Sequence, residues 1–309
     1  MATEGDTQNV PVLVSLISTV IINGLSCPLT FLLNVLVIMA VKRRPRLQTK
    51  TNILLACLAA TDAVLTSVLI QPSFILWATL KLLGKMSQEA TDATCFYNSS
   101  LRTAFMCSSL HLMLVTGERP IAIKFFTRYP YVVTKQSIKH AVIVFWILAI
   151  IWGITDILAQ IYTDSLLFYL NFVLAIILIS CVLFTTCSYV TLYRETLRQR
   201  KKIKTQQLPQ EAMERFAKES KVLKTTVYIV GAVVFCLLPA AFSLLWVVSL
   251  PPCVNPTDSK SFYAFTPWIS TFGMLNSLLN PLICRRQKEM KKFVFRFQAH
   301  LVVLPVNLS

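Results

Sequence analysis

Charge is what this sequence has least of. Only 14% of its 309 residues are Asp, Glu, Lys or Arg, while 55% are hydrophobic and the mean hydropathy is +0.62. A soluble domain carries roughly a quarter of its residues as charges, and no stretch here is long and polar enough to form one. The marks of an enzyme are missing as well. There is no nucleophile–base pair, no phosphate-cradling loop and no cysteine or histidine spacing of metal type. No internal repeat of the kind that builds secondary transporters is visible. The first apolar stretch, about Val12 to Val41, is too long for a signal-peptide core and lacks an early basic region and a small-residue cleavage site. It reads as an uncleaved first helix.

Acidic residues are the scarcer sign, 14 against 30 basic ones, for a net charge of +16. Such a balance invites a nucleic-acid reading, but the distribution excludes it. Of the 30 basic residues, 26 fall in four clusters, Lys42 to Lys50, Arg119 to Lys139, Arg194 to Lys224 and Arg285 to Arg296, each beside an apolar segment. Under the positive-inside rule these clusters face the cytosol, which puts the amino terminus outside and the carboxyl terminus inside. Basic rims of this kind also suit anionic membrane lipid.

What is present is a series of apolar segments, each about 20 residues or longer, the length that spans a bilayer. They lie near 12–41, 51–78, 95–124, 141–161, 166–193, 214–250 and 262–284. The expected fold is an all-α membrane protein, a seven-helix bundle over 12–284. A short outer segment, 1–11, precedes it, and an amphipathic cytoplasmic helix and tail, 285–309, follow it. In that last stretch Met290, Phe293, Val294 and Phe297 alternate with Arg and Lys, the pattern of an interfacial helix.

Polar residues inside such segments are costly and mark function or helix packing. Asn34 stands in Leu-Leu-Asn-Val-Leu, either as a packing hydrogen bond or as part of a functional network. Asp62, in Leu58-Ala-Ala-Thr-Asp62, is a carboxylate in mid-span, expected to be protonated or to hold a cation. Arg102, near the outer end of the third segment, either faces the bundle and attracts an acidic ligand group or snorkels to the headgroups. Asp156 is read as lying near the outer end of its helix. The third segment closes on Glu118-Arg119-Pro120, with Glu118 and Glu219 as candidate partners for the arginine. Breaking such an ion pair could open a cytoplasmic cleft. Pro72 and Pro239 are expected to kink their helices. Asn98-Ser99-Ser100 is a glycosylation sequon set too near a helix start for use. Of the nine cysteines, Cys27, Cys57, Cys107, Cys181, Cys187 and Cys236 read as small buried hydrophobes. Cys95 and Cys253 stand at outer ends, where a disulfide can form.

Taken in order, these features resemble the rhodopsin-like class of G-protein-coupled receptors. Asn34, Asp62, Arg119, Trp146, Pro239 and Pro281 each match a marker of one helix. Glu118-Arg119-Pro120 resembles the acidic-Arg-Tyr motif, Cys236-Leu237-Leu238-Pro239 the Cys-Trp-x-Pro motif, and Asn276-Ser277-Leu278-Leu279-Asn280-Pro281 the Asn-Ser-x-x-Asn-Pro signature. The departures are Pro120 for Tyr, Leu237 for Trp and Cys284 for Tyr. The short second outer loop without its cysteine, and the missing fifth-helix Pro, resemble the melanocortin, lysophospholipid and cannabinoid branch.

The resemblance implies a receptor that senses an outer ligand and activates a heterotrimeric G protein at the plasma membrane, with no catalytic chemistry. Glu118, Arg119, Pro120, Tyr189, Glu219, Pro239, Asn280 and Pro281 would form the switch, and Phe125 and Phe126 would contact the G protein. Asp62, Ser108, Asn276, Ser277 and Asn280, beside Asn34, would form a polar cluster able to hold an allosteric sodium ion. Asn98, Leu101, Arg102, Leu237, Leu244 and Met274 would line the ligand pocket. Leu101 stands where amine receptors carry an Asp, Met274 where opsins carry their Lys, and Leu244 where adenosine receptors carry an Asn. The ligand is left as a small molecule, lipid or small peptide. Cys95 lacks its usual loop partner, and Cys253 is the remaining outer candidate. The alternatives are a seven-helix decoy receptor or partner subunit that does not couple, or a small transporter.

Overall fold

The computed structural model describes residues 10–84, 88–124, 129–205, 231–232, 234–249 and 260–284; the side chains of Arg119, Pro120 and Cys284 fall outside that description. Among the described residues there is no strand. Those residues form seven long helices in succession: α1 (Val10–Arg43), α2 (Lys50–Leu82), α3 (Gln88–Lys124), α4 (Lys135–Tyr162), α5 (Asp164–Thr205), α6 (Val234–Ser249) and α7 (Lys260–Cys284). A single helical turn, Tyr129–Val132, sits between α3 and α4.

The helices begin and end where local chemistry dictates. Thr49 caps α2 by accepting from the Asn52 amide, and Thr134 caps α4 by accepting from Ser137. Pro45 breaks the chain after α1 into one 3-10 turn, Pro45–Leu47. Gly84 ends the second span at φ 63°, a left-handed conformation that favours glycine. Only Thr163 separates α4 from α5, so the second outer loop is as short as its sequence implied.

The middle of α2, Asp62–Ile70, is a π-helix. Pro72 explains the wider turn: in an α-helix its ring would meet the carbonyl of Val68. It also lacks the N–H that would reach the Ser67 carbonyl in the π register, and the Cys27 thiol of α1 donates to that oxygen instead, at 3.2 Å. The kink expected at Pro72 is thus a π segment that begins at Asp62. Trp77 lies inside the last turns of α2.

Helix α3 is the centre. It packs against α2, α4 and α5, while α1 packs against α2 and α7. One core cluster joins α3 (Phe105, Met106, Leu112), α5 (Leu174, Leu178) and α6 (Leu237, Ala240). A second joins Leu16, Ile70, Phe74, Tyr97 and Met274 across α1, α2, α3 and α7. Helices α1, α2, α4 and most of α5 are long and apolar enough to cross a membrane. Helix α3 carries more polar residues because its neighbours, rather than lipid, cover it. Helix α4 is the opposite, with Ile143, Ile147, Ile150, Ile154, Ile157 and Ile161 exposed along it. In water such a face would be a liability; against hydrocarbon it is a solvated surface. Cys187 is exposed on α5, so it is not the buried hydrophobe that its span position implied.

Candidate functional site

Three polar clusters lie along the bundle. The middle one is built on Asp62, which is completely buried. Its Oδ1 accepts from Ser277 Oγ at 2.8 Å and from Ser108 Oγ at 3.5 Å, and its Oδ2 accepts from Asn280 Nδ2 at 2.9 Å. Thr66 Oγ1 lies 2.9 Å from Ser277 Oγ; because the Ser277 proton points to Asp62, Thr66 is the donor there. Asn276 Oδ1 is buried with no partner. The structure therefore brings Asp62, Ser108, Ser277 and Asn280 together, with Asn276 on the same small pocket as Ser108 and Ser277.

Asn34 belongs to the seam beside this cluster rather than to the cluster itself. Pro281 has no N–H for the carbonyl four residues back, which is that of Ser277. Asn34 Nδ2 donates to that oxygen at 3.0 Å, and to Thr30 O at 2.9 Å, so its role is to tie α1 to α7. Of its two readings, the packing hydrogen bond is the one seen.

The outer cluster surrounds a cavity of about 550 Å³ between α2, α3, α5, α6 and α7. Asn98, Leu101, Arg102 and Leu244 line it as expected, with Trp77, Tyr97, Asn171 and Ser270. Leu237 and Met274 do not line this cavity. They are fully buried beneath it and line the smaller pocket that continues toward Asp62. Phe105 borders both spaces. Its ring packs on Gly273 so closely that a Cβ there would lie 2.3 Å from two ring carbons, which is why α7 carries glycine at that level. Tyr97 is buried against Trp77, ring centroids 5.4 Å apart and stacked.

Arg102 neither snorkels nor stands as a lone cation. Its Nε donates to Asp156 Oδ1 at 2.7 Å and its Nη2 to Asp156 Oδ2 at 2.9 Å. Asp156 lies near the outer end of α4, as its sequence position implied, but is completely buried there, and it also accepts from Ser99 Oγ at 2.6 Å and Gln160 Nε2 at 3.0 Å. The carboxylate thus holds four donors from α3 and α4. A buried, unpaired Arg102 would be costly, and the matching acid on α4 removes that cost. Asn98 is helical and lines the cavity, which agrees with an unused sequon. Cys95 is a free thiol on α3. Cys253, the partner expected for it, lies outside the described residues.

At the inner end, Glu118 is buried and accepts from Thr51 Oγ1 at 2.8 Å and from the Tyr129 hydroxyl. Lys50 Nζ sits 4.4 Å from the centre of the Tyr129 ring. The acid of the motif is therefore tied to α2 and to the turn after α3, two partners that sequence reasoning missed. Tyr189 is partly buried on α5, and Pro239 lies within α6. Phe125, Phe126, Glu219 and the amphipathic helix expected after Cys284 lie outside the described residues, as do the side chains of Arg119 and Pro120.

Asp156 and Tyr129 were the residues least visible in the sequence. The available signal for Asp156 was a second ionisable residue inside an apolar span, opposite in sign to Arg102 on a neighbouring span. For Tyr129 no comparable signal exists.

Comparison with known proteins adds a consistent picture. A family model, the seven-transmembrane receptor of the rhodopsin family, matches residues 33–283. The chain is 26% identical to an alpha-1A adrenergic receptor of Oryzias latipes, over 84% of this chain and 62% of that receptor. It is 26% identical to trace amine-associated receptor 13c of Danio rerio, over 82% of this chain and 77% of that one. It is also 26% identical to adenosine receptor A2a of Cavia porcellus, over 82% of this chain and 66% of that one. The chain thus spans under two thirds of the adrenergic receptor it matches. None of these three is a melanocortin, lysophospholipid or cannabinoid receptor, so the branch suggested by the loops finds no support among them. The family is one of receptors, not enzymes. The helix order, the Asp62 cluster and a match over most of the length agree: the chain belongs to the rhodopsin family of seven-transmembrane receptors.

Proposed function

We propose that this chain senses an extracellular ligand in the outer cavity and activates a heterotrimeric G protein at its cytoplasmic end. The amino terminus is outside and the carboxyl terminus inside, the orientation favoured by the four basic clusters. The observation that carries the reading is the continuity from cavity to switch. Phe105 lines both the outer cavity and the smaller pocket, and the walls of the smaller pocket include Ser108 and Ser277, whose hydroxyls bond Asp62.

A ligand that prefers one position of Phe105 biases a two-state bundle through this column. Leu237, on α6 two residues after Phe235 and two before Pro239, packs in the same core. Pro239 removes the backbone bond to the Phe235 carbonyl, so α6 has a hinge at the level the ligand reaches. At the inner end, release of Glu118 from Thr51 and Tyr129 frees α3 from α2. Arg119, Tyr189 and Glu219 complete the switch, and Phe125 and Phe126 meet the G protein. Membrane lipid is the remaining partner, along α4 and the basic rim.

The residues around Asp62 fit a sodium ion. They offer a buried carboxylate, two hydroxyls and an unpartnered amide oxygen, all hard donors, with no cation among the described partners. Asp62, Ser108, Ser277 and Asn276 would hold the ion. It would supply a positive charge that stabilises the ionised carboxylate and the arrangement shown.

The relatives are adrenergic, trace amine and adenosine receptors, but their ligands do not transfer. Leu101 replaces the amine-binding Asp, and no carboxylate is among the described residues lining the cavity. The test is nucleotide exchange on a panel of G proteins in membranes carrying this chain, beside Arg119→Ala and Asp62→Asn. Exchange above that of empty membranes, altered by Arg119→Ala, supports coupling and names the G-protein class. Surface-exposed protein with a flat response, and no response to ligands that bind it, favours a non-coupling decoy or partner subunit. Pro120, Leu237 and Cys284 are the substitutions that would underlie such a loss.

A further inference from the structure

The outer cavity has a polar wall that none of the motifs accounts for. Arg102 lines it, and Asp156 does not. The pairing explains this asymmetry: Asp156 lies behind the guanidinium, fully buried, and its two oxygens already take four donors. A guanidinium has five N–H groups. Nε and one hydrogen of Nη2 are spent on Asp156, which leaves Nη1 and the other Nη2 hydrogen. The Arg102 side chain keeps 14% of its surface, against none for Asp156, and the space it borders is the cavity. The site thus shows a ligand the donor side of an ion pair and hides the acceptor side. A cationic ligand meets Arg102 first and is repelled.

Across the same cavity, Asn171 of α5 has its Oδ1 buried with no hydrogen-bond partner. An acceptor left bare in a bundle costs free energy that a ligand donor would recover. Between the two polar ends the wall is apolar, with Leu101, Phe105, Leu244 and Ile269. A second cation, Lys81, borders the outer rim, its Nζ 5.2 Å from the centre of the Trp77 ring.

We propose that the cavity binds a small amphipathic organic acid, with its carboxylate on Arg102, an apolar middle against Leu101 and Leu244, and an O–H or N–H donor on Asn171. This deepens the receptor reading above and rests on it. Asp156, Ser99 and Gln160 are positioning residues: they hold the guanidinium plane so that its remaining edge faces the cavity, and little order has to be imposed when the acid arrives. A bidentate or forked contact to a carboxylate is what a fixed guanidinium does best.

The test uses the full-length protein purified in detergent and measures its melting temperature with three sets of probes. These are ω-hydroxy carboxylic acids of roughly eight to twelve carbons, chosen to fill a cavity of this class, their methyl esters, and the ω-hydroxy amines of equal length. The acids should raise Tm in a saturable way, and the esters and amines should not. Arg102→Leu alone leaves Asp156 buried and unpaired, so the informative variant is Arg102→Leu with Asp156→Leu, which removes both charges. It should melt cooperatively and bind the acids roughly 30-fold more weakly or worse. Asn171→Leu, which disturbs no bond, should erase the preference for a hydroxy acid over the plain acid of the same length. Arg102→Lys should weaken acid binding while keeping the charge.

Silence from every acid, equal shifts from esters or amines, or full acid binding by Arg102→Lys and Asn171→Leu would each overturn the proposal. Melting requires no G protein. Nucleotide exchange driven by a non-acidic ligand would therefore sink the acid assignment and leave the receptor reading standing.

Discussion

Asp62 and Asp156 are both carboxylates, both completely buried, and both in the membrane-spanning part of the bundle. Their partners differ in kind. Asp156 is met by a guanidinium and two neutral donors from α3 and α4, so its charge is answered within the protein. Asp62 is met by two hydroxyls and an amide from α3 and α7, all neutral. Hydrogen bonds satisfy its oxygens but leave its charge in a low-dielectric interior without a counter-charge. The first arrangement is fixed, and it serves the cavity by presenting Arg102. The second lacks a positive charge, which a proton or a small cation can provide, and that makes it suitable for a switch. Phe105 lines both the cavity that Arg102 borders and the smaller pocket that Ser108 and Ser277 border.

Removing one charge at each site separates them most strongly. Asp156→Asn leaves Arg102 without its counter-ion and should destabilise the receptor by about 3–5 kcal/mol, read as a large drop in melting temperature or loss of folded protein. Asp62→Asn removes an unanswered charge and keeps a side chain of the same shape, so its cost should stay near 1 kcal/mol. Equal losses would mean that the two carboxylates are held alike. Arg102→Leu with Asp156→Leu should recover most of the stability, and the double-mutant cycle gives the coupling directly.

A smaller effect should follow from disturbing the ring that stands between the sites. Gly273→Ala puts a methyl 2.3 Å from two carbons of the Phe105 ring. Overpacking of this kind costs about 1–3 kcal/mol. The ring can give way upward into the outer cavity or downward toward Ser277. Melting measures the cost, and acid binding together with nucleotide exchange tells the direction. If both functions are untouched, Phe105 does not link the two sites.

The sequence made the Asp62 cluster legible and the Arg102 cluster nearly invisible, for a physical reason. Asp62, Asn276, Ser277 and Asn280 are bound to proline and apolar neighbours in short motifs, so local pattern alone locates them. The Arg102–Asp156 pair joins residues 54 apart on two helices. Each alone is ambiguous, because a long cationic side chain can snorkel and an acid near a span end can be solvated. Hydropathy delivered the spans, since apolar length is a local property. It could not foresee the π segment's rescue by Cys27, or Leu237 and Met274 sinking below the cavity floor, because those depend on how helices rotate against one another. The contact of Glu118 with Tyr129 crosses the stretch 125–128, where no periodicity guided the reading.

The finest distinction between the two carboxylates is sodium. If Asp62 takes its missing charge from the ion, the receptor should melt higher in sodium chloride than in choline chloride of equal ionic strength. At sodium tenfold above its dissociation constant the gain is about 1.4 kcal/mol, because binding to the folded state alone stabilises it. Asp62→Asn should abolish that difference, since an amide in place of the carboxylate offers no charge to answer. The Arg102→Leu, Asp156→Leu double variant should keep it in full, because that cluster already carries its own cation. A sodium effect that survives Asp62→Asn would place the ion elsewhere. One that vanishes in the double variant would mean that the outer cluster, not Asp62, responds to the ion, and that the contrast between a closed pair and an open site is wrong.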